Sequence, residues 1–253
     1  MSDDGALERA LRSQIELCRE SWTNLLSTRV LPTYTERKPT ALDVGCGPGF
    51  VMDMFSQTME VTGLDRSMNM SRYAGEHGHC VVRGRGEDLP FPDRSFDVVY
   101  CSFVLMWVPD PSRFISEMLR VSRRWVLCLA ESDTSSRIDH PSELKALTEC
   151  VKESVSAVGG NLEMGRSFHP IFHELGYEAE VGVNSGGVHR KEVGAQWMRD
   201  EWQWVEEVLS GRPHDPPLGS VRRSLEDSIT SGKLFHFTPL FYALVDKERD
   251  RRS

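Results

Sequence analysis

The chain has 253 residues, 30 of them Lys or Arg against 38 Asp or Glu, for a formal net charge of -8. That length accommodates one large α/β domain, with or without an insertion. The acidic balance argues against a nucleic-acid backbone as partner, because phosphate contacts call for a basic face.

Residues 5–30 read as a helix, with Leu7, Leu11, Ile15, Leu17, Trp22, Leu25 and Leu26 on one apolar face and Pro32 ending it. From Thr40 the pattern alternates. It predicts strands near 40–45, 60–65, 79–83, 96–101, 124–130, 176–183 and 239–246, and helices near 49–56, 68–77, 111–121, 141–156 and 168–175. The early strands are nearly continuous apolar runs, as expected where helices cover both faces of a parallel sheet. Residues 185–235 break this rhythm, opening with Ser185-Gly186-Gly187 and holding Trp197, Trp202 and Trp204. They read as two helices, near 190–209 and 218–230, inserted before the last strand and placed as a wall or lid. The charged tail from Lys247 to Ser253 reads as frayed.

No stretch nears the ~18–20 apolar residues of a membrane span. Met1-Ser2-Asp3-Asp4-Gly5 does not look like a signal peptide. The six cysteines sit singly, without a C-x-x-C pair. A cytoplasmic protein, monomeric or homodimeric, is the expectation.

The densest chemistry is Ala41-Leu42-Asp43-Val44-Gly45-Cys46-Gly47-Pro48-Gly49, a strand, a glycine turn and a helix start. Glycine belongs where φ is positive or where a ligand lies against bare backbone. The unpaired N–H groups of a helix start favour an anionic group nearby. Asp65 closes the second strand, where an acidic residue meets a ribose in nucleotide-binding βαβ units. A helix N-cap or a solvated strand end is the other reading of that position.

With these residues the chain resembles the class I S-adenosylmethionine-dependent methyltransferases, in particular the ubiquinone/menaquinone C-methyltransferase-like subgroup. Leu42 to Gly49 is similar to the family's first motif and Asp65-x-Ser67-x-x-Met70 to its second. Gly84 to Phe91 and Phe96-Asp97-Val98-Val99 follow as the third and fourth. The resemblance implies a Rossmann-like fold of seven mostly parallel strands, with helices on both faces and a helical insertion before the last strand. Its divisions would be an N-terminal helical extension over 1–39, a core over 40–184 and 236–247, and the insertion over 185–235. S-adenosyl-L-methionine is the implied cofactor. Asp43, Gly45, Cys46, Gly47 and Gly49 would meet its methionine part and ribose, Asp65 the ribose hydroxyls, Arg66 and Met70 the adenine faces, Gly86 and Glu87 the adenine edge, and Ser102 the methionine end. Arg85 stands where the subgroup carries a short acidic or polar residue, and Trp107 where many relatives carry histidine.

The implied reaction is direct displacement at the sulfonium methyl, aided by alignment more than by a strong base. Glu131 and His140 are the favoured base candidates, since the fifth strand ends at the cofactor side; His169 and His236 are others. Phe103, Trp107, Trp197, Trp202 and Phe235 are candidate walls for a small, partly apolar acceptor. His169 and His173 form H-x-x-x-H without a third ligand, so no metal is expected. A tRNA or protein methyltransferase and a non-catalytic cofactor-binding protein are the alternatives.

Overall fold

The computed structural model describes residues 4–184 and 191–250. The Ser185–Gly187 opening of the insertion and the last three residues of the chain lie outside them. β1 (Thr40–Val44) is a short strand buried from Ala41 to Val44. The glycine turn leads from it into α2 (Phe50–Phe55), then β2 (Glu60–Asp65) and α3 (Met68–Glu76). The Ser67 side chain caps α3 by accepting from Met70 N at 3.3 Å. β3 (Cys80–Arg83) and β4 (Phe96–Cys101) follow, then α4 (Pro111–Val121), which has Asp110 as N-cap and proline at its first position. β5 (Ser122–Ser132) is the longest strand.

Beyond it come β6 (Ile138–His140), α5 (Lys145–Ala157), α6 (Phe168–Glu174), β7 (Glu180–Val183), α7 (Lys191–Leu209), α8 (Leu218–Thr230), β8 (Phe235–Phe237) and β9 (Leu240–Asp246). The main sheet runs β3-β2-β1-β4-β5-β9-β7. The first five of these strands are mutually parallel, while β9 is antiparallel to both β5 and β7. The order reverses between β1 and β4, the point at which such sheets take ligands beyond their strand ends.

Strand alternation divides the core. Leu42, Val44, Val99 and Cys101 face one layer with Phe114, Met118 and Phe172. Ala41, Val98, Tyr100, Leu127 and Leu129 face the other, with Trp22, Val51 and Phe55. N-terminal α1 (Asp4–Leu25), extended by a wider turn over Leu26–Val30, covers this second layer. Its buried stripe is Ile15, Cys18, Trp22 and Leu25/Leu26, with Leu11 and Leu17 half-buried against the same core. The Leu7 side chain lies outside the described residues. A third core joins α5, α7 and α8 through Leu147, Met198, Trp202, Val205, Leu209, Val221 and Leu225.

Two expectations change. Residues 138–140 and 235–237 pair as an antiparallel ribbon, β6 with β8, that strand patterning over three residues is too short to reveal. The tail is anchored through Asp250, whose carboxylate accepts from Asp246 N and whose carbonyl accepts from Glu178 N, both at 2.8 Å.

Candidate cofactor and acceptor site

Gly45 N and Cys46 N both donate to Leu64 O, at 2.7 and 3.1 Å, pinning the glycine turn to the end of β2. Gly45 has φ +81° and Gly47 φ +53°. A Cβ on Gly45 would run into the Val104 side chain, 2.7 Å away, so no larger residue fits. A Cβ on Gly47 would meet nothing within 4 Å. The Gly47 backbone therefore faces open space, a cradle that any side chain would fill.

Two carboxylates flank it. Asp65 accepts from Gly47 N at 2.9 Å and from Ser67 N at 2.8 Å. Those bonds fix its plane and leave its remaining lone pairs for hydroxyl donors. Asp43 is 1% exposed, and neither of its oxygens makes a well-formed hydrogen bond. Burial pushes its pKa up to about 8 against the opposing pull of the Tyr100 hydroxyl, with Asp65 adding to the rise. A buried carboxylate with only the Tyr100 hydroxyl beside it, next to an open glycine turn, fits a ligand that brings a positive charge. Tyr100 was missed by the sequence reading, although parallel register places it directly opposite Asp43.

Arg66, exposed, lies on the turn from β2 into α3, and Met70, half-buried, in the first turn of that helix. Gly86 is buried against the Phe114 ring, which leaves no room for a Cβ. Arg85, 66% exposed, points outward and pairs with Glu87 at 3.1 Å. The Glu87 carbonyl accepts from Arg113 Nε at 2.7 Å.

Ser102 is half-buried just past β4. Phe103 follows with φ +53°, a strained conformation for a bulky residue. Its ring lies 6.1 Å from Trp22 and its N–H donates to Ala130 O at 2.8 Å. The tight turn Leu105–Trp107 then presents Trp107, which meets Trp204 of α7 edge to face at 6.3 Å. Trp197 packs on His236 at 4.7 Å. Trp202 is 3% exposed in the α5/α7/α8 core, so it is packed there and is not the expected pocket wall. Helical spacing explains the exchange. Positions 198, 202, 205 and 209 form one stripe, and 197, 204 and 208 the next.

The base candidates are scattered. Glu131 is wholly buried, and its carboxylate accepts from Val104 N, Leu105 N and Met106 N at 2.8, 2.7 and 3.2 Å. His140 is exposed on the ribbon, opposite Phe235, which is 42% exposed. His169 stacks on His173 on α6. His236 is buried, with Nδ1 2.6 Å from Asp139 Oδ1 and Nε2 3.2 Å from Thr238 Oγ1. Arg137 bridges Asp139 and Glu201, at 2.6 and 2.7 Å, so this network ties the ribbon to α7. Thr148 of α5 joins it through Asp139 Oδ2 at 2.6 Å. Among the described residues no three His, Cys, Asp or Glu side chains cluster to hold a metal ion.

Residues 42–128 match the family model for a methyltransferase domain. An uncharacterized methyltransferase from Mycobacterium sp. (strain KMS) is 45% identical over 96 residues, 35% of this chain and 38% of that protein. A demethylmenaquinone methyltransferase from Bacillus licheniformis is 38% identical over 104 residues, 37% of this chain and 45% of that one. The chain thus spans less than half the length of these curated relatives. A Haemonchus contortus phosphoethanolamine N-methyltransferase, solved with phosphomonomethylethanolamine and S-adenosylhomocysteine, shares the fold. Its TM-score is 0.54 at 19% identity, covering 89% of this chain and 52% of that one. Residues 42–128 are a domain of the class I S-adenosylmethionine-dependent methyltransferase family, and S-adenosylmethionine is the cofactor that such a domain takes.

Proposed function

We propose that this chain, with a class I methyltransferase domain as its centre, transfers a methyl group from S-adenosylmethionine to a small, partly apolar acceptor. The observation that carries the reading is the open cradle at Gly47, flanked by the fixed Asp65 and the buried carboxylate of Asp43. When bound, the cofactor supplies an electrophilic sulfonium methyl. Asp65 would take the ribose hydroxyls through its free lone pairs, and Asp43 would give the cationic end a negative partner. Gly45, Cys46, Gly47 and Gly49 would lend backbone, and Ser102 would stand at the methionine end. Arg66, Met70, Gly86 and Glu87 would surround the adenine, with Glu87 acting from its main chain while Arg85 holds its carboxylate.

Phe103 and Trp107 would form the acceptor wall at the end of β4, and α7 would close over it through Trp204 and Trp197. The described part of the insertion, residues 191–235, then serves as a lid. Aromatic groups suit both a ring-bearing acceptor and a cationic methyl centre. Glu131 is committed to the turn and is assigned no proton transfer. His140 remains the base to test for a hydroxyl acceptor. The likeness to the demethylmenaquinone enzyme supports the quinone C-methyltransferase-like subgroup, and with it a metabolite acceptor over tRNA or protein. No described helix is long and apolar enough to cross a membrane.

Methyl-labelled S-adenosylmethionine, incubated with the protein and a cell extract split into small-molecule, RNA and protein fractions, tests this. Label in the small-molecule fraction is expected. Label confined to RNA or protein overturns the acceptor class, and no transfer anywhere overturns the activity.

A further inference from the structure

We propose that Glu131 is a positioning residue for the cofactor, acting through the turn after β4 and the Val104 side chain on the glycine loop. The inference rests on the reading that S-adenosylmethionine occupies that loop.

Three consecutive N–H groups, from Val104 to Met106, converge on one buried carboxylate. They follow the left-handed Phe103, where the chain leaves the sheet and loses its ladder partners. Without Glu131 this backbone would be buried unsatisfied, so the carboxylate sets the shape of the turn. Val104 in turn lies 2.7 Å from where a Gly45 Cβ would stand. Gly45 is clasped between Val104 and the Leu64 carbonyl to which its N–H donates. A shift of the turn therefore moves the wall against which the loop is set. The same turn ends in Trp107, whose N–H donates to Val104 O at 3.0 Å, so loop and acceptor wall share one support.

Among the described residues no charged side chain pairs with Glu131. The turn offers it backbone N–H groups only. β4 places the Cys101 thiol near it, itself raised by burial. β9 sets Phe241 opposite, and the 165–167 turn brings Gly165 against its carbonyl while Arg166 is taken by Asp133 and Glu163. Asp43 lies on β1 beyond Cys101. Burial pushes the Glu131 carboxyl up to about 7, against the pull of the three N–H donors. Protonation would turn one acceptor oxygen into a donor facing an N–H, and the turn would loosen.

The test uses S-adenosylhomocysteine binding by calorimetry between pH 6 and 8, with amide NMR shifts of Val104, Leu105 and Met106. Wild-type affinity should fall with pH through a step near neutrality, by about tenfold one unit below the midpoint, as the competent fraction falls. The three amides should titrate with the same midpoint. Glu131→Gln should bind more weakly at pH 8 and lose the part of the pH dependence whose midpoint the three amides share. A folded Glu131→Gln with wild-type affinity and pH profile would overturn the proposal. So would wild-type amides that do not titrate with the affinity, a reading that needs no variant to fold. Failure of the wild type to bind S-adenosylhomocysteine at any pH would instead overturn the cofactor reading, and this proposal with it.

Discussion

Trp204 on α7 meets the Trp107 ring edge to face at 6.3 Å, the point at which the insertion touches the turn beyond β4. The neighbouring Trp202 points elsewhere, into the helical core. The two tryptophans should answer differently to the same substitution. Trp202→Ala should cost about 3–5 kcal/mol of stability, as expected for emptying a core aromatic position. Trp204→Ala should cost about 0.5–1.5 kcal/mol beyond lost area, the worth of an aromatic pair. It should speed hydrogen exchange in α7 and lower methyl transfer while cofactor affinity holds. Unchanged exchange and transfer in Trp204→Ala would remove the lid from the account.

Asp65→Ala removes the proposed partner of the ribose and also releases Gly47 N and Ser67 N. Cofactor affinity should weaken by about 1.5–3 kcal/mol, the scale of hydrogen bonds to a charged group. Calorimetry with S-adenosylhomocysteine measures it, and a folded variant with unaltered affinity would refute the assignment.

Gly47→Val places a branched side chain into the open cradle, at a φ that L-residues adopt at a cost of about 1–2 kcal/mol. Binding should fall by at least about tenfold, or ~1.4 kcal/mol. Thermal unfolding separates that loss from the backbone strain.

Asp97 closes the opposite end of the sheet, accepting from Arg37, Arg123 and both Thr40 donors. Burial alone would raise its pKa, but Arg37 and Thr40 overrule it and hold the carboxyl well below the usual range. A lowered folded-state pKa contributes stability that is present above the unfolded value near ~3.9 and is lost as pH falls toward the folded one. Asp97→Asn should therefore cost about 1–3 kcal/mol at pH 7. The difference from wild type in urea midpoint should shrink progressively below pH 4, and a gap that keeps its full pH 7 size down to pH 2 would show that ionisation is not its source.

The sheet was legible because β1, β4 and β5 are apolar runs bounded by turn residues, and the glycine turn and Asp65 because their chemistry is local in sequence. The roles of Glu131 and Trp202 were not. A strand-end glutamate looks alike whether it faces solvent or collects three N–H groups from a turn 25 to 27 residues away. The tryptophan faces depend on which stripe of α7 meets α5 and α8, a question of tertiary packing. The β6–β8 ribbon escaped notice because its inward residues, Asp139 and His236, are charged or polar while Ile138 and Phe235 face out, the reverse of ordinary strand patterning.

The position of β9 bears on how the sheet is completed. β7 precedes it in the chain by more than fifty residues, yet pairs with nothing else in the main sheet. β5 likewise has β9 as its outer neighbour. The strand made last thus enters between two made earlier, and the loop closure that joins β7 to the rest must wait for it. A chain ending before Leu240 would forfeit two strands, not one. It would leave the β5 edge bare along the side that also carries Glu131, opening a route to intermolecular strand pairing.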